Sequence, residues 1–181
     1  MEQQKIVITG GPGTGKSAVI EKLLNLEFTC MPEISRMITR EAQQTGIEQL
    51  FLKEPLLFSE MLLQGRIDQY ETAEKLGHNI VFFDRGIPDI LGYLDYVQLD
   101  YPKDFFHQSL KFSYSKVFMM PPWKDIYQTD NERYETFEQS LVIYDFLVKA
   151  YEKLDYEIIT VPENKIENRV EFILNEMESP S

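Results

Sequence analysis

The sequence predicts an α/β fold, a parallel β-sheet covered by helices on both faces. Short β-rich apolar runs recur along the chain, and segments with helical apolar spacing lie between them. A glycine-rich stretch, Gly10-Gly11-Pro12-Gly13-Thr14-Gly15-Lys16-Ser17, joins the first run to the first helical segment. Strands that alternate with helices pair in parallel, because each right-handed crossover returns the chain to the same end of the sheet. All strand C-termini then share one edge, and functional residues are expected just after strands.

In chain order, the β-rich runs are residues 5–9, 28–31, 79–84, 116–119 and 156–161. A first helix is expected over 17–26, where Ala18, Val19, Leu23 and Leu24 recur at helical spacing. Ser35 is suited to cap a second helix. A long helical stretch covers 56–76, and another covers 131–154 with Val142, Phe146, Ala150, Tyr151 and Leu154 on one face. The last, 166–177, carries Ile166, Val170, Ile173, Leu174 and Met177. No repeat, low-complexity block or linker divides the chain. Residues 1–177 therefore read as one domain and Glu178-Ser179-Pro180-Ser181 as a loose tail.

Composition excludes several function classes. With 18 basic residues against 30 acidic ones, the net charge is −12, which leaves no broad positive footprint for nucleic acid. A small basic pocket for a small anion remains compatible with an acidic body. Cys30 is the only cysteine, so no internal disulfide forms, and it reads as a small buried hydrophobe. His78 and His107 are too few and too far apart for a histidine-built zinc site. The N-terminus has no apolar signal core and no run approaches a membrane span, so a cytoplasmic location with no membrane partner is expected.

The glycine-rich stretch satisfies Gly, four free positions, Gly-Lys and Ser without a gap, between a strand and a helix, which is the phosphate-binding loop of a P-loop NTPase. Glycines let successive N–H groups turn toward phosphate oxygens, and the helix N-terminus adds partial positive charge. Gly11, Pro12, Gly13, Thr14, Gly15, Lys16 and Ser17 are expected to hold a nucleoside triphosphate. Lys16 would reach the β- and γ-phosphates and the Ser17 hydroxyl would ligate Mg²⁺.

The strand ends supply further candidates. Ile80-Val81-Phe82-Phe83 runs into Asp84-Arg85-Gly86. A carboxylate there is suited to hold Mg²⁺, directly or through water, although a solvated turn has the same composition. Arg85 would bring a rigid guanidinium to the phosphates. After the second run, Glu33 would face the loop as general base for an acceptor hydroxyl, or lead a helix and pair with Arg36. Arg133 would reach the transferring phosphate from a mobile cover, or pair with Glu132 or Glu135 in solvent. Asn164-Lys165-Ile166-Glu167 resembles a guanine-reading Asn-Lys-x-Asp, but carries Glu for Asp, and Ile166 belongs to the helical core pattern. Pro121-Pro122-Trp123 ends a strand, with Trp123 as an anchor or as part of an interface.

These segments together resemble a family of small P-loop proteins described as AAA-type ATPase-like. That family is related to the ribosylnicotinamide-kinase domain of bacterial NAD regulators and to nucleoside and nucleotide kinases. The resemblance rests on residues 9–17, Pro32-Glu33-Ile34-Ser35-Arg36, Phe83-Asp84-Arg85-Gly86-Ile87-Pro88-Asp89, Pro121-Pro122-Trp123 and Tyr127-Gln128-Thr129-Asp130-Asn131-Glu132-Arg133. It implies a five-stranded parallel sheet in the order 2-3-1-4-5. It also implies an Asp-Arg pair at Asp84-Arg85, a lid arginine at Arg133 and a base at Glu33. The expected activity is Mg²⁺-dependent transfer from ATP to a small hydroxyl-bearing acceptor of nucleoside or pyridine-ribonucleoside type. The helix containing Phe58–Tyr70, Arg36, Arg66 and Asp89 would form the acceptor pocket. The competing expectation is a nucleotide-dependent regulatory ATPase acting through a protein partner.

Overall fold

Five parallel strands, β1 (Gln4–Gly10), β2 (Thr29–Met31), β3 (Ile80–Asp84), β4 (Lys116–Met120) and β5 (Ile158–Thr160), form one sheet in the order β2-β3-β1-β4-β5. The computed structural model describes residues 3–44, 46–47, 50–127 and 135–178. Alternation along the central strands divides the core in two. Ile6, Ile8, Phe82, Phe118 and Met120 point to α1 (Lys16–Asn25) and α8 (Ile166–Glu178). Val7, Val81, Phe83, Val117 and Met119 point to the other face. There lie α2 (Ser35–Gln44), α3 (Leu50–Lys53), α4 (Pro55–Leu76), α5 (Pro88–Tyr96), α6 (Lys103–Lys111) and α7 (Phe137–Glu152). Burial on both faces explains why the strands read as continuous apolar runs. On the second face Tyr70, Phe83, Phe112 and Tyr114 meet largely edge to face.

Several boundaries differ from the sequence expectation. The helix expected from residue 131 starts at Phe137, because Thr136 caps it: the Thr136 hydroxyl accepts from Gln139 N at 3.2 Å and Gln139 Oε1 accepts from Thr136 N at 2.7 Å. Its buried stripe is Ser140, Ile143, Leu147, Ala150 and Tyr151, with Val142 46% exposed rather than in the core. Ile166 is likewise exposed at the start of α8, where the Asn164 side chain accepts from Lys165 N and from Asn168. β5 is confined to Ile158–Thr160, and α8 includes Glu178, the first residue of the expected tail. The helices α5 and α6 fall where no helix was expected. No helix among the described residues is long and apolar enough to cross a membrane.

The helices α5 and α7 pack most closely at Gly92. A Cβ there would lie 2.9 Å from Leu147 Cδ2 and 3.1 Å from Leu147 Cα. Gly92→Val must push the two helices apart, and we expect urea denaturation to show a loss of roughly 1–3 kcal/mol with cooperative unfolding retained.

Candidate functional site

The glycine loop leaves β1 at the C-terminal edge of the sheet and enters α1 at Lys16. Gly13 and Gly15 have φ of +74° and +77°, the left-handed region that a side chain resists. Thr14 between them closes the turn, its hydroxyl donating to the Gly11 carbonyl at 3.2 Å. Tyr127 lies over the loop: a Cβ on Gly13 would collide with its ring. The Tyr127 hydroxyl donates to the Glu135 carbonyl and its ring meets Phe137 edge to face.

Lys16 is buried and its ammonium pairs with the buried Asp84 carboxylate at the end of β3. Pairing of β1 with β3 in register Ile8↔Asp84 brings these two within reach. Burial, with the nearby Arg85 charge, lowers the Lys16 pKa against the opposing pull of Asp84. Ser17, the other expected metal ligand, is exposed at the second position of α1. Among the described residues no group of three or more His, Cys, Asp or Glu could hold a metal by itself. A hydroxyl and a carboxylate oxygen fit Mg²⁺ that takes its remaining ligands from phosphates and water. The left-handed glycines, the buried Lys16 and the helix N-terminus fit the triphosphate.

Arg85 has φ of +74°, an unusual backbone for a residue with a side chain and a source of local strain. Its N–H donates to the Ile8 carbonyl at 3.1 Å. Its guanidinium donates to Glu33 Oε2 at 2.7 Å and Asp89 Oδ1 at 3.2 Å, and lies 5.4 Å from the Tyr93 ring centre. Arg66, reaching in from α4, donates to the Gly86 carbonyl and lies 3.6 Å from Glu33 Oε1. Asp89 was read from sequence only as part of the acceptor pocket. It is fully buried and accepts from Thr9, Arg85, Gly86 N and Tyr151.

Glu33 stands at the head of α2 and on the wall of the cleft. It leads α2, accepting from Ile34 N at 2.9 Å and Ser35 N at 3.0 Å, and it faces the cleft beside Arg85. Its carboxylate forms ion pairs with Arg85 and Arg66. The cleft between α2, α4 and α5 measures about 520 Å³ and is lined by Glu33, Arg36, Phe58, Arg66, Arg85 and Tyr93 among others. The elements expected for the acceptor pocket thus come together there. Arg133, the expected lid arginine, lies outside the described residues.

Burial alone would raise the Glu33 carboxyl, but Arg66, Arg85 and Lys16 together outweigh it and hold the pKa at about 2, below its ordinary 4.5. A depressed carboxyl stabilises the fold fully above pH 4.5, and that contribution is lost as the pH falls through about 2. We expect urea titrations across this window to show a pH-dependent loss of stability that is smaller in Glu33→Gln.

The fold has solved counterparts. The deoxyadenosine kinase from M. mycoides with products dCMP and a flexible dCDP bound is similar with a TM-score of 0.69 at 16% identity, covering 98% of this chain and 100% of that one. NadR in complex with NR gives 0.69 at 15% identity, covering 98% of this chain and 52% of that one. The thymidylate kinase from Ehrlichia chaffeensis gives 0.64 at 15%, covering 99% and 100%. No curated protein matches the sequence. At these identities the likeness shows the P-loop kinase fold. The family itself is shown by sequence: residues 5–169 match the AAA_28 profile, described as an AAA domain, and the chain belongs to that family.

Proposed function

We propose that this protein is a Mg²⁺-dependent kinase that transfers the γ-phosphoryl group of ATP to a hydroxyl on a small acceptor of nucleoside or pyridine-ribonucleoside type. The charge balance at the head of the cleft carries the reading. Beside the loop lysine stand two guanidiniums, Arg66 and Arg85, matched by two carboxylates, Glu33 and Asp89. That arrangement offers the Glu33 carboxylate to a neutral hydroxyl, and Arg36 and Arg40 also line the cleft. The apolar wall of Phe58, Leu62, Ile90 and Tyr93 suits a planar ring.

Lys16 and the loop amides hold the triphosphate, with Ser17 and Asp84 on the side of the metal. These two residues would hold Mg²⁺, which would supply neutralisation of the charge developing on the phosphates. The acceptor oxygen bonds to the γ-phosphorus as its bond to the bridging oxygen breaks, and ADP leaves. Glu33 orients the acceptor hydroxyl and receives its proton. A carboxylate with a pKa near 2 is a weak base, so proton transfer follows rather than leads bond formation in a loose transition state. Arg85 supports the charge of the transferring group from the strand edge, and Arg133 is assigned the lid contribution.

The test is ADP formation with Mg²⁺-ATP across a panel of nucleosides, nucleotides and nicotinamide riboside. A kinase shows strong stimulation by a hydroxyl acceptor. Lys16→Ala should abolish turnover, whereas Glu33→Gln should lower it by roughly 100-fold or more with ATP affinity nearly intact. Slow hydrolysis indifferent to every acceptor, and lost in Lys16→Ala, would overturn the kinase in favour of a regulatory ATPase.

A further inference from the structure

Arg169 has no part in the chemistry above, yet it is the largest fully buried side chain among the described residues, 1% exposed. It stands in the first turn of α8, where a cation meets the unfavourable end of the helix dipole. Its Nη1 donates to the Thr14 carbonyl at 2.8 Å. Nε and Nη2 meet no hydrogen-bond partner among the described residues. The guanidinium centre lies 5.9 Å from the ring of Trp123, the chain's single tryptophan. A Cβ on Gly15 would come within 2.9 Å of Nη1, so the loop and the arginine fit each other closely. Burial lowers the Arg169 pKa, with Glu163 the opposing charge. A buried cation with two unpaired nitrogens at a helix N-terminus is a poor structural choice.

Its one bond falls where the loop is most easily reversed. The peptide joining Thr14 to Gly15 runs into a left-handed glycine, so on that side its plane turns with little steric resistance. The plane is trans, and its C=O and N–H point in opposite directions. Holding the Thr14 carbonyl toward α8 therefore turns the Gly15 N–H away from α8. We propose that Arg169 is a positioning residue of the triphosphate site, pinning the Thr14–Gly15 peptide so that the Gly15 N–H is presented to phosphate, with Trp123 packed where it senses occupancy. This rests on the reading of the loop as a triphosphate site, and not on the identity of the acceptor.

Calorimetric titration with MgATP and MgADP, beside thermal melts without nucleotide, tests it in the full chain. Arg169→Met should raise Kd about tenfold. Arg169→Lys, which keeps a donor for the Thr14 carbonyl, should recover much of that loss. In the unmutated protein, saturating MgADP should shift Trp123 emission, a readout that needs no variant to fold. A purely structural arginine would behave differently, with Tm falling and Kd unchanged in whichever variant stays folded. That result, or a Trp123 spectrum indifferent to bound nucleotide, would overturn the proposal alone. An unmutated protein that binds neither nucleotide would overturn the triphosphate site as well.

Discussion

Asp89 has no exposure to solvent and takes four donors from three parts of the chain: the Thr9 hydroxyl at the end of β1, the Arg85 guanidinium and the Gly86 N–H in the turn after β3, and the Tyr151 hydroxyl on α7. A buried carboxylate survives only when its lone pairs are met, and here the donors are also the parts that must be held together. Through it the strand that feeds the glycine loop, the turn after β3 and the helix α7 behind them share one fixed point. Arg85 keeps its left-handed backbone because its side chain and its N–H are both tied down.

The same connection sets the electrostatics of the cleft. Arg85 is shared between Asp89 and Glu33, and Arg66 approaches Glu33 from the other side. The Glu33 carboxylate is thereby held ionised far below neutral pH. Tyr151 is held neutral by burial and by Asp89, which keeps its proton available to that carboxylate. A network satisfied at this many points is rigid, and rigidity is what a phosphoryl-transfer site asks of groups that act by position.

What the sequence made legible was local. The glycine loop, the strand runs and the acidic and basic residues at the strand ends are each defined within a few residues, and sheet order followed from family resemblance. Thr136-Phe137-Glu138-Gln139 also carried its capping signal in the sequence, but the polar run ahead of it offered rival caps. In α7 the adjacent Leu141, Val142 and Ile143 leave the buried stripe ambiguous, and tertiary contact selected Ile143. Asp89 and Arg169 were not legible as organising residues, because their partners Thr9 and Thr14 lie 80 and 155 positions away. No periodicity reports a contact of that span.

The anchored helix α7 has a mechanical consequence. Its 16 residues form a rod about 24 Å long. One end begins at a capping box directly after Glu135, the acceptor of the Tyr127 hydroxyl, and Tyr151 near the other end is bolted to Asp89. Along its length Gly92 of α5 leaves no room for a Cβ against Leu147, and Gly11 of the loop lies against Ser140 and Ile143. Such a rod cannot tilt without disturbing the loop and the hub together. The capping box at Thr136 therefore fixes the start of α7 beside the Tyr127–Glu135 contact.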